Sequence, residues 1–133
     1  MILSLYDFFI YFLPHEGEKI VKKTKMLKKN YEFKNVLSNG KFFYGKFINA
    51  VIMDNGKNLN YLGLALSSKL GKAVKRNRIK RLIRESYYFF ENDIEIGKNI
   101  VFLWNKNVST ENISFFDIKT DMKNIFGKAK ILK

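Results

Sequence analysis

Gly71-Lys72-Ala73-Val74-Lys75-Arg76-Asn77-Arg78-Ile79-Lys80-Arg81-Leu82-Ile83-Arg84-Glu85 reads as one continuous helix, and the rest of the chain must supply its support. Ile79, Leu82, Ile83, Ser86 and Phe90 recur at the spacing that puts them on one side of a helix. The intervening positions are cationic. At 3.6 residues per turn, Arg76, Lys80 and Arg84 form one stripe on the outer side. Asn77 and Arg81 form a second stripe beside it, and Arg78 sits on the opposite flank. Glu85 is the one acid within the run, so most of the cations lack neutralising partners one turn away.

A charged helix usually serves solubility. Here arginine is mixed with lysine, and its planar fork suits phosphates and base edges better than a point charge does. Like charges one turn apart also carry a mild cost, which a polyanion lying across the face removes. The pattern favours nucleic-acid contact. The whole chain agrees, since its 133 residues hold 25 Lys+Arg against 12 Asp+Glu, a net charge of +13. Cysteine is absent and the single histidine is His15, which excludes a disulfide frame and nearly excludes an imidazole-based triad or metal site. We expect no catalytic residue and no protein-bound metal.

Upstream of the helix, Leu59 to Ser67 reads as a strand, with Leu62, Leu64 and Leu66 on one face and Tyr61, Gly63 and Ala65 on the other. The small residues of that second face let a helix or ligand approach closely. Phe47 to Met53 is strand-like, and Asp54-Asn55-Gly56-Lys57 predicts a type I′ hairpin turn to the next strand. Phe42-Phe43-Tyr44 is a short edge strand or an exposed aromatic cluster. Asn30 to Gly40 predicts a short helix carrying Phe33, Val36 and Leu37 on one face. Downstream, Ile100 to Trp104 reads as a buried strand. Ser114 with Asp117 makes a capping box for a last helix stopped at Gly127. Residues 1–25 match none of this. Their apolar run, Ile2 to Leu13, is too short to span a bilayer and lacks the flanks of a signal peptide. We read them as a loosely ordered extension, or untranslated if Met26 is the true start.

The expected fold is a single α/β domain over residues 26–133, an α+β two-layer sandwich in the order α-β-β-β-α-β-α. A βαβ crossover passes through the basic helix, and the small sheet is mostly antiparallel. Phosphates would be met by Arg76, Arg78, Lys80, Arg81 and Arg84, with Asn77 adding a directional hydrogen bond. Phe33 and Tyr61 are the aromatics retained as stacking residues for single-stranded RNA, core filling being the better account of most others. Glu91, Asp93 and Glu95 alternate just past the helix, and a solvated turn explains them better than a cation site.

Lys75 to Glu85 resembles the signature of the bacterial ribonuclease P protein component: Arg-Asn-Arg, an apolar residue, Lys-Arg, two apolar residues, then Arg. Arg76, Asn77, Arg78, Lys80, Arg81 and Arg84 fill every polar slot. The resemblance extends from about Met26 to Lys130 and takes in Leu27-Lys28-Lys29-Asn30 with Phe33, and Leu62 through Gly71. It implies a subunit that pairs with a large catalytic RNA, which holds the Mg2+ ions and removes the 5′ leader of precursor tRNA in the cytoplasm by hydrolysing a phosphodiester. It also implies a left-handed crossover. The motif helix, with Lys69 and Lys72, would contact the catalytic RNA, and a cleft with Phe33, Leu37 and Tyr61 would hold the leader. Leu37 stands where the family often has a second aromatic, and Ser68 replaces one of two adjacent lysines. No membrane and no small-molecule substrate is implied.

Two rival readings remain at this level. A structural rRNA-binding protein of ribosomal type accounts equally well for charge and size. A stand-alone nuclease using Glu91, Asp93 and Glu95 is weaker.

Overall fold

Ile100, Val101 and Phe102 are apolar at successive positions, so neither face of their strand can meet water. The chain places that strand in the middle of a sheet, where all three are fully buried. The computed structural model describes residues 23–133. Its strands are β1 (Thr24–Met26), β2 (Lys41–Tyr44), β3 (Ile48–Asp54), β4 (Asn60–Ala65) and β5 (Lys98–Trp104). Its helices are α1 (Asn30–Asn39), α2 (Ala73–Phe90) and α3 (Phe115–Ala129). The five strands lie in the order β1-β4-β5-β3-β2.

The expected crossover is present, because β4 and β5 are parallel neighbours joined through α2. The expected hairpin is not. β5 lies between β3 and β4, pairing antiparallel with one and parallel with the other. A type I′ turn needs two successive left-handed residues, and here Gly56 is left-handed while Asn55 is not. The Asn55 side chain instead accepts from the Lys57 amide at 2.7 Å and donates to the Leu59 carbonyl and to Asn99. The loop therefore opens wide enough to step over β5. The sheet is consequently mixed, with β1–β4 and β4–β5 parallel and the β5–β3 and β3–β2 ladders, together longer, antiparallel.

Two further expectations change. Among the described residues the order begins with β1, three residues too few to leave a periodic signal. Thr24 and Lys25 fall inside the expected extension, yet both pair with β4, and Thr24 is buried. The expectations for Ile2 to Leu13 and His15 lie outside the described residues. The layering also differs, since helices cover both faces of the sheet. On one face Ile48, Ala50, Ile52, Leu62, Ile100, Phe102 and Trp104 pack with the apolar seams of α2 and α3. On the other, Val51 and Val101 pack with Leu27 and Val36, the latter from α1. α3 has the expected capping box of Ser114 and Asp117 but runs past Gly127 to Ala129. Lys130, left-handed at φ 57°, ends it, and Ile131 turns back into the core.

Gly63 explains how α1 sits so close. A Cβ there would lie 2.6 Å from the Phe33 ring and 3.0 Å from Leu27. The small face of β4 is thus the seat of Phe33. Gly63→Ala should force the ring outward and cost about 1–3 kcal/mol through overpacking. A fall in melting temperature of several degrees, measured by thermal unfolding, checks this, and an unchanged value refutes the seat.

Candidate nucleic-acid interface

α2 occupies Ala73–Phe90, the bounds its periodicity predicts, and buries Ile79, Ile83, Ser86, Tyr87 and Phe90. Tyr87 was absent from the expected seam and Leu82 is only half-buried, so the buried side is rotated toward Tyr87. The signal was available, since Tyr87 lies one and two turns beyond Ile83 and Ile79. Its hydroxyl shares a buried hydrogen bond of 2.7 Å with Thr24 of β1. Burial pushes the Tyr87 phenol well above its ordinary range, so the group remains protonated and holds α2 over the β1 edge.

This rotation relocates the cations. Arg76, Lys80 and Arg84 do not point straight out; they are half-buried on the flank of α2 that adjoins Tyr87. Long stems lying against the fold fix the direction of their charged ends better than free side chains would. None of the three is in an ion pair with a described residue. Asn77 is exposed, and Arg81 is half-buried. Arg78 is committed in part: its guanidinium donates to the Ile113 carbonyl, tying α2 to the loop before α3. Lys75 pairs with Glu111 of the same loop at 3.0 Å. Lys69 and Lys72 are exposed at the entrance to α2, where Lys72 is the N-cap and no side chain caps the helix.

The leader residues expected from the resemblance are not gathered in one cleft. Phe33 is half-buried over Gly63 and Leu37 follows one turn later on the same flank of α1. Tyr61 lines a groove of about 280 Å³ on the other flank, with Tyr31, Glu32, Asn35, Lys57 and Asn99. Lys57 Nζ lies 5.2 Å from the centre of the Tyr61 ring. Glu32 accepts the main-chain N–H groups of Lys29 and Lys28, which hold its carboxyl below the usual carboxylate range. Helix α1 thus divides this face of the sheet in two.

Among the described residues no three acids, imidazoles or thiols gather where they could hold a metal. Glu91 and Asp93 form a short 3-10 turn, and Glu95 turns to Lys98 at 3.8 Å, so the three acids do not converge. No described helix is long and apolar enough to cross a membrane.

The profile of the family described as Ribonuclease P matches residues 21–130. The chain belongs to the ribonuclease P protein family. The ribonuclease P protein component of Clostridioides difficile (strain 630) is 36% identical over 110 residues, covering 82% of this chain and 95% of the relative. That of Clostridium kluyveri is 38% identical over 109 residues, covering 80% and 96%. The ribonuclease P protein of Thermotoga maritima superposes with a TM-score of 0.71 at 25% identity, covering 78% of this chain and 96% of that one. A Staphylococcus aureus ribonuclease P protein mutant gives the same TM-score at 26% identity, covering 80% and 89%. These likenesses favour a subunit of a ribonuclease P endoribonuclease over the ribosomal reading. The match begins at residue 21, which agrees with β1 belonging to the domain.

Proposed function

We propose that this ribonuclease P protein binds the catalytic RNA through α2 and steadies the 5′ leader of precursor tRNA against the α1 face of the sheet. The observation that carries this reading is the flank of Arg76, Lys80 and Arg84, three cations held by the fold and left without acidic partners among the described residues. Asn77, Arg78 and Arg81 complete the RNA-facing motif, and Lys69 and Lys72 extend it toward the uncapped start of the helix. Phe33 and Leu37 are the residues of choice for leader contact. Tyr61, across α1, would meet a different nucleotide or none.

In this reading the reacting phosphodiester and its Mg2+ ions belong to the RNA and substrate, in the cytoplasm, and the protein contributes positioning and charge. Neutralising phosphates lets the two RNA molecules approach at lower divalent-ion concentration. Protein reconstituted with its RNA should therefore cleave precursor tRNA at lower Mg2+ than the RNA alone. With about five phosphate contacts, log affinity should fall against log salt with a slope of roughly −3.5 to −4.5. No reduction of the Mg2+ requirement would refute the proposal.

A further inference from the structure

Strand β2 is four residues long, Lys41-Phe42-Phe43-Tyr44, and lies at the sheet edge beside β3. Alternation sends Phe43 toward the α2 and α3 core, against which it packs. Phe42 and Tyr44 share the other face, the one that carries α1, and their registers opposite Val51 and Asn49 confirm it. Nothing among the described residues covers them. Phe42 is 42% exposed and Tyr44 is 69% exposed, with ring centroids 4.5 Å apart. Leu37 of α1, on the same side of the sheet, is also 42% exposed.

Adjacent exposed rings of this kind mark a binding surface, and the surrounding charge selects its occupant. Lys128 is exposed and its Nζ donates to the Tyr44 carbonyl at 3.0 Å, at the open edge of β2, whereas Lys41 and Lys46 reach the rings of Phe43 and Phe47 on the other face. The acid bonded to the β2–β3 connection, Asp121, is buried and turned onto main-chain amides. The patch is therefore aromatic with a lysine at its edge, on a chain of net charge +13. Strand addition by another protein suits it poorly, because the edge is short, lysine-flanked and already bonded by Lys128. Single-stranded RNA suits it well, since every base has a face to stack and a phosphate to neutralise.

We infer that Phe42 and Tyr44 form a second stacking platform for unpaired leader nucleotides, separate from the contact at Phe33. The inference rests on the leader reading proposed above. β2 stands three strand spacings from β4, about 14 Å from the seat of Phe33 on Gly63. That span exceeds one stacked step, so the two places hold different nucleotides of one extended strand.

The test compares holoenzymes carrying wild-type protein or the Phe42→Leu, Tyr44→Leu double variant, each bound to precursor tRNA. One substrate has a leader of about ten nucleotides and the other about two, the longer one alone being able to span both places. The double variant should bind the long-leader substrate roughly tenfold more weakly, from the loss of one or two stacked bases, and should not discriminate against the short one. Phe42→Tyr with Tyr44→Phe, which keeps both rings, should restore the wild-type preference. Unchanged long-leader affinity, or equal loss on both leaders, overturns the platform. If wild-type protein improves neither substrate over RNA alone, the leader reading itself falls, and the platform with it.

Discussion

Replacing Arg76, Lys80 and Arg84 together by alanine is expected to weaken binding to the partner RNA by about a hundredfold to a thousandfold near 0.1 M salt. Each phosphate contact releases counterions worth close to tenfold in affinity under those conditions. The slope of log affinity against log salt should become shallower by about 2 to 3 for the same reason. The protein should remain folded, because these side chains make no ion pairs with described residues and the α2 seam of Ile79, Ile83, Tyr87 and Phe90 is untouched. Arg78→Ala gives the informative contrast. Its guanidinium also holds the Ile113 carbonyl, so that change should lower stability as well as affinity. Filter binding across a salt series separates the two effects. A triple variant within twofold of wild type would remove the basis for placing RNA on this flank.

Asp121→Asn should be among the most destabilising single changes in the domain. The carboxylate is 5% exposed and accepts from the main-chain N–H of Lys46 at 2.7 Å, Phe47 at 2.8 Å and Ile48 at 2.8 Å. It thereby fastens the β2–β3 connection to α3. An amide keeps one acceptor oxygen and turns donor hydrogens toward a donor, so at least one partner is stranded. Stranded, partly buried donors to a charged acceptor cost roughly 1–3 kcal/mol each, giving a total of about 3 kcal/mol or more. Domains of this size are stable by only about 5–15 kcal/mol. Denaturant unfolding measures the loss, and a change below about 1 kcal/mol would show that the three bonds carry little net free energy.

Helix α2 was readable residue by residue, because apolar spacing, cationic run and family signature occupy the same fifteen-odd positions. Its bounds agree with the structure at both ends. The capping box at Ser114 was equally plain, being a local hydrogen-bond pattern. Strand β1 was not readable, since three residues cannot display a period and the buried Thr24 hydroxyl bonds a tyrosine 63 positions away. The hairpin failed for a related reason: Asn-Gly favours a tight turn locally, but β5 claims the place beside β3. The clue lay in β5 itself, whose two apolar faces require a central position.

Local order in the chain thus settled which segments are helices and strands, which residues are charged, and which family they join. Those properties depend on neighbours within one or two turns. Tertiary packing alone decided that Arg76, Lys80 and Arg84 are half-buried on the flank of α2 beside Tyr87, that α1 separates Phe33 from Tyr61, and that Phe42 and Tyr44 stay exposed. Each of these turns on which face of an element meets which other element, and that is set by burying the whole core at once.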